Sequence, residues 1–211
     1  MKSSAKVVGF VFLLLPVLMS CASTKLTHVW KDEAYNGRPV ADILVLGVTD
    51  EDAIRRTYES KFVESLREAG VEAEPSFPLL SGNYKLKKEE IVAAVKKVGA
   101  DSVLITHLVR VDEKEIHTPS QTYVVPRYGG GYYGYYGRGY DYVHYPGYSR
   151  VEVKVVLETS LYNAADEKPM WSARSETIDP SSEEALIDSV ISALVSDLKA
   201  KKLLAPKPKA K

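Results

Sequence analysis

Cysteine is almost absent from this chain: Cys21 is the only one in 211 residues. An intrachain disulfide and a thiolate metal cluster are therefore excluded. Charge of one sign is lacking too, since 28 Lys and Arg balance 28 Asp and Glu. A nucleic-acid binder carries a basic excess, so that class is set aside. Long apolar runs are missing as well. The one at the N-terminus, Val7 to Val17, falls short of the roughly 20 residues that a membrane-spanning helix needs. Phenylalanine and tryptophan are scarce, at 4 and 2 residues, whereas tyrosine reaches 14.

The short apolar run fits a leader. Lys2 and Lys6 supply its positive start, and Leu18-Met19-Ser20-Cys21 follows it. That tetrad resembles a bacterial lipobox, which implies cleavage after Ser20 and diacylglycerol on Cys21. Residues 1–20 are then a signal peptide. One acyl chain anchors weakly, but each buried methylene adds about 0.8 kcal/mol, so the two or three chains implied hold a protein on a membrane permanently. Ala22 and Ser23 follow the cysteine, and no Asp stands there. In Gram-negative lipoproteins this resembles export to the outer membrane, facing the periplasm.

Residues 21–39 read as a tether, and 40–204 as a single α/β domain. Ala41 to Val48 is an apolar run bounded by Pro39, the pattern of a strand buried on both faces. Ile54, Tyr58, Phe62 and Leu66 recur every four residues, an amphipathic helix stopped at Gly70. On it, Arg55, Arg56 and Glu59 read as a solvated ion-pair face. Strand Val71 to Ser76, a helix ending at Gly99 and strand Asp101 to Asp112 come next. Ser149 to Tyr162 alternates apolar and polar, and Met170 to Ile178 returns after a turn. Asp179-Pro180-Ser181-Ser182-Glu183-Glu184 starts the last helix, with Asp179 as cap or Ser181 and Glu184 as a capping box. The order is β-α-β-α-β-β-β-α, a mixed sheet covered by three helices. Residues 205–211 form a disordered basic tail.

The stretches VWKDEAYNGRPVADILVLGV, RRTYESKFVESLREAGVEAEPSF and EEIVAAVKKVGADSVLITHLV resemble a group of uncharacterised Gram-negative lipoproteins. The group's domain is similar to the N-terminal domain of TolB and to the envelope lipoproteins CsgG and LpoB. The resemblance implies an accessory or regulatory component of an envelope complex rather than an enzyme. It transfers no functional residue except the lipidated Cys21.

Between two of the strands, residues 118–149 form a tyrosine- and glycine-rich insertion. From Tyr128 to Tyr148, nine of twenty-one residues are Tyr and seven are Gly. Three readings stay open: a flexible loop without a ligand, a contact site for a protein or cell-wall glycan, and a lipid-interface contact. The glycines loosen the backbone, and tyrosines make adaptable contacts at low entropic cost. Tyr132, Tyr133, Tyr135, Tyr136, Arg138, Tyr140 and Tyr142 are the candidate contact residues.

No close histidine pair of metal-ligand spacing occurs among His28, His107, His117 and His144, so neither a metal nor another cofactor is expected. GGGYYG at 129–134 matches GxGxxG formally, but a tyrosine-rich segment follows it instead of a phosphate-binding helix. Catalysis would have to gather distant groups such as His107, Asp112 and Glu158. The functional expectation is a membrane-anchored, non-enzymatic binding or accessory module. Its alternative is a structural lipoprotein that self-associates through the tyrosine-rich insertion.

Overall fold

The computed structural model describes residues 23–35, 37–80, 87–126 and 140–205. The first described strand, β1 (Thr24–Lys31), precedes β2 (Asp42–Val48), α1 (Asp52–Glu68) and β3 (Glu72–Pro75). Then come α2 (Lys88–Val98), β4 (Ser102–Thr118), β5 (Gln121–Pro126) and β6 (Tyr140–Tyr145). The chain closes with β7 (Tyr148–Asn163), β8 (Pro169–Ile178) and α3 (Glu183–Ala200). Six strands form one sheet in the order β1-β8-β7-β4-β2-β3, and β5 pairs with β6 in a separate two-stranded sheet. β2 runs parallel to β3 and β4, and the remaining pairs are antiparallel. The expected mixed α/β sheet with three helices is present.

β2 lies inside the sheet and divides its side chains between two apolar layers. Ile43 and Val45 join Phe62 and Leu66 of α1 and Leu194 and Leu198 of α3. Leu44 and Leu46 join Ala94, Ile91, Val95 and Val98 on the α2 side. Burial on both faces explains the unbroken apolar run. Tyr58 stacks on Phe62, its hydroxyl donates to Thr106 Oγ1 at 2.8 Å, and burial pushes its pKa up to about 12. Gly99 ends α2 at φ 71°, a left-handed conformation in which a side chain is strained.

Several expectations change. Residues 24–31, read as part of the tether, form an edge strand on β8. An edge strand pairs on one side only, so it needs little apolar pattern. Thr24 Oγ1 bonds the hydroxyls of Thr177 and Ser189 at 2.6 and 2.7 Å, and Leu26 packs on the core. Of residues 118–149, read as a flexible insertion, the described ones contribute β5, β6 and the ends of β4 and β7, and residues 127–139 lie outside the described residues. Finally, α3 is capped by Ser182, whose Oγ accepts from the Ala185 amide at 3.1 Å. Asp179 is occupied elsewhere: its Oδ1 accepts from the Val153 amide at 2.8 Å and its Oδ2 from Arg150 at 2.7 Å.

The pair read as a solvated face is instead buried. Arg55 and Glu59 are 3% and 0% exposed, and Arg55 Nε donates to Glu59 Oε1 at 2.9 Å. The same oxygen accepts from the Gly47 amide and from Ser76 Oγ, at 3.0 and 2.8 Å, and Oε2 accepts from the Phe77 amide at 2.8 Å. Arg55 also donates to the Leu80 carbonyl at 3.2 Å and to Ser76 Oγ at 2.8 Å. One carboxylate thus fastens the ends of β2 and β3 to α1. Removing one partner of a buried pair costs about 3–5 kcal/mol, because the other charge is stranded away from water. Arg55→Met is therefore expected to lower stability by about that much, read by denaturant unfolding. Arg55→Met with Glu59→Leu should recover only part of the loss, since no charge is stranded but the Gly47 and Phe77 amides lose their acceptor.

Candidate contact surface

β4 and β7 are longer than the helices that cover them. Their ladder runs from Ser102↔Asn163 to Thr118↔Tyr148, with a register slip at Val109. Leu104 and Leu161 lie at 0% exposure in the core, but Leu108, Val111 and Val151 are exposed at 52, 49 and 57%. Past Val111 the two strands leave the domain as a ribbon.

Charged side chains hold the base of that ribbon. Arg110 pairs with Asp112 at 2.8 Å, Arg150 with Glu152 at 3.2 Å, and Lys154 with Glu176 at 3.8 Å. Asp179, at the end of β8, bonds the Val153 amide and Arg150, and these bonds hold its carboxyl below its ordinary pKa of 3.8. A depressed folded pKa contributes stability above the ordinary value and loses it as pH falls. Asp179→Asn should therefore flatten the acid side of the stability–pH curve below about pH 4, and it should speed amide exchange at Val153.

The ribbon does not end in a loop at Thr118. Pro119-Ser120 on one side and Pro146-Gly147 on the other interrupt the ladder. A Cβ on Gly147 would lie 2.8 Å from both the Thr118 carbonyl oxygen and the Ser120 nitrogen, so only glycine lets the strands approach there. Beyond it β5 and β6 pair from Gln121↔Tyr145 to Pro126↔Tyr140. Tyr123 meets Tyr145 edge-on, with ring centroids 5.7 Å apart, and the Tyr123 hydroxyl donates to Gln121. Thr122 Oγ1 and His144 Nδ1 bond at 3.0 Å.

Among the described residues, none of the domain covers either face of this hairpin. Opposite partners share a face, so Tyr123 goes with Val143 and Val124 with Tyr142. Val124, Tyr142, Tyr145 and Tyr148 are exposed at 54, 71, 58 and 61%. Beside Tyr123, Val143, Tyr145 and Tyr148 runs an open groove of about 720 Å³. Isolated two-stranded hairpins are marginal in water, and contiguous exposed apolar surface marks a contact site. Because the hairpin is separate from the core, replacing Tyr123, Tyr142 and Tyr145 together with Ser should leave the domain's unfolding transition within about 0.5 kcal/mol of the parent.

Of the candidate contact residues, Tyr142 stands exposed on β6 and Tyr140 pairs with Pro126 at the ladder's end. Cys21, Tyr132, Tyr133, Tyr135, Tyr136 and Arg138 lie outside the described residues. Tyr123, Val124, Val143, Tyr145 and Tyr148 were missed. Their signal was the pair of β-branched and aromatic runs, TYVV and YVHY, flanked by prolines. His107 and Glu158 are cross-strand partners, but Glu158 is engaged by Arg174 Nε at 2.7 Å. Asp112 lies five positions along β4, opposite Lys154, and does not join them. A smaller cleft of about 420 Å³, between α2 and the sheet, is lined by Ile91, Val95, Val103, Ile105 and Tyr162, with Lys88 and Glu167 paired at 2.6 Å on its rim. Among the described residues no helix is long and apolar enough to cross a membrane.

No protein-family model and no curated protein matches the chain. Solved structures similar to it include PelC of Paraburkholderia phytofirmans, a dodecamer, at 15% identity and a TM-score of 0.44, over 84% of this chain and 96% of that one. The lipoprotein GNA1162 of Neisseria meningitidis is similar at 15% identity and a TM-score of 0.41, over 76% of this chain and 99% of its own.

Proposed function

We propose that this chain is a lipid-anchored protein of the bacterial cell envelope. It is cleaved after Ser20, acylated on Cys21 and held at the outer membrane facing the periplasm. Its domain acts as a non-enzymatic binding or accessory module, and the β4–β7 ribbon with its β5–β6 hairpin contacts another envelope component. The observation that carries this reading is the projecting, uncovered surface of Tyr and Val. The leader and lipobox supply the location, and the resemblance to envelope lipoproteins agrees with it.

The open edges of the hairpin favour a second reading, self-association. Each strand of a two-stranded sheet presents a row of unpaired backbone groups to another chain.

Labelled fatty acid is expected on the processed chain and lost in Cys21→Ser. A photo-crosslinking side chain in place of Val124, activated in intact cells, separates the remaining readings. An adduct with an envelope protein, glycan or lipid supports the module. An adduct with a second copy supports self-association. Absence of any adduct removes the ribbon from the model.

A further inference from the structure

The sheet register places the start of β1, three residues after Cys21, and the ribbon at the same end of the molecule. Thr24, the first residue of β1, is opposite Thr177 on β8. Thr177 is opposite Val155 on β7, and Val155 is opposite Val111 on β4. A line across the sheet from the start of β1 therefore meets β7 and β4 where the ribbon departs. β8 is antiparallel to both β7 and β1, so the chain ahead of Thr24 enters from the ribbon's side.

Distances then constrain where the ribbon lies. Cys21 precedes Thr24 by three residues, which span at most about 11 Å even when fully extended. At about 3.3 Å per residue, Val111 to Thr118 reaches about 23 Å past the level of Thr24, and the hairpin adds about 20 Å. A ribbon some four times longer than its tether cannot stand clear of the bilayer that holds the tether. Either it lies along the surface or its β5–β6 end enters the headgroup layer.

Its composition follows the same axis. Asp112, Glu113, Lys114, Arg150, Glu152 and Lys154 line the proximal part. On β5 and β6 the titratable side chains are tyrosines, His144 and a single acid, Asp141, opposite Val125 near the end of the ladder. Tyrosine carries an apolar ring and a hydroxyl, a combination suited to the headgroup level. The open edges of β5 and β6 bar deeper entry, because unpaired amides and carbonyls are costly in hydrocarbon.

We propose that the β5–β6 hairpin is a membrane-docking element, seated at the headgroup–acyl boundary of the same leaflet that holds Cys21. This rests on the acylation of Cys21 argued above, and it names the component that the ribbon contacts as a lipid surface. Docking at two points, the anchor and the hairpin, fixes the orientation of the domain on the membrane, which a lipid on a three-residue tether does not do alone.

The test uses the full chain, processed from its own leader and reconstituted into vesicles of phosphatidylethanolamine and phosphatidylglycerol. Nitroxides are attached to Val124→Cys and Val143→Cys, one on each hairpin face, and to Lys168→Cys in the turn at the far end of the sheet. Accessibility to oxygen relative to a water-soluble nickel chelate is then measured. The ratio is expected to be several-fold higher at position 124 or 143 than at 168. Equal ratios at all three positions on a chain whose mass shows the acyl groups overturn the docking alone. A mass without acyl groups overturns the anchoring and the docking with it. Spin–spin broadening at 124 without raised oxygen access assigns the hairpin to a second copy and overturns the lipid contact.

Discussion

The antiparallel ladder between β4 and β7 is the constraint on which the rest of the molecule depends. Backbone amides and carbonyls must be paired wherever they leave water, and this ladder, with one slip at Val109, pairs them from the core to the break at Pro119 and Pro146. At one end its side chains lie between helices. At the other they face solvent, yet the backbone pairing continues. A single element thus joins a rigid α/β domain to an apolar surface displayed well away from it.

The buried Glu59 carboxylate has a comparable part in the core. It collects donors from Arg55, Gly47, Ser76 and Phe77, and so joins three elements that hydrophobic contact alone would leave free to slide. A buried ion pair is weak evidence for net stability, because desolvation opposes the Coulomb attraction. Its effect here is geometric: one set of partners is satisfied in one arrangement of β2, β3 and α1.

Much of the fold was legible because pattern and burial agree. The run ADILVLGV is apolar throughout since β2 meets helices on both sides, and the four-residue recurrence of Tyr58, Phe62 and Leu66 follows the buried stripe of α1. Disagreements arose where tertiary partners override local pattern. Arg55 and Glu59 at i and i+4 have the spacing of an ordinary surface pair, and only the approach of the loop after β3 encloses them. Thr24–Lys31 looks like linker because an edge strand draws its hydrogen bonds from β8 rather than from its own periodicity. The hairpin was hidden for a related reason: flanking glycines and prolines dominate the composition of the whole stretch, while its two strands are short.

The sequence by itself carried the expectation of a leader ending at Cys21, and it determined the mixed α/β class and the concentration of tyrosine in one insertion. These are local properties, read from composition and spacing within a few residues of one another. Only the tertiary structure decided that the insertion carries a paired hairpin on a projecting ribbon, and that this ribbon leaves the sheet at the end where the chain from Cys21 enters. Strand register sets both results, through partners as near in the chain as Gln121 and Tyr145 in the hairpin and as distant as Thr24 and Thr177 at the sheet edge.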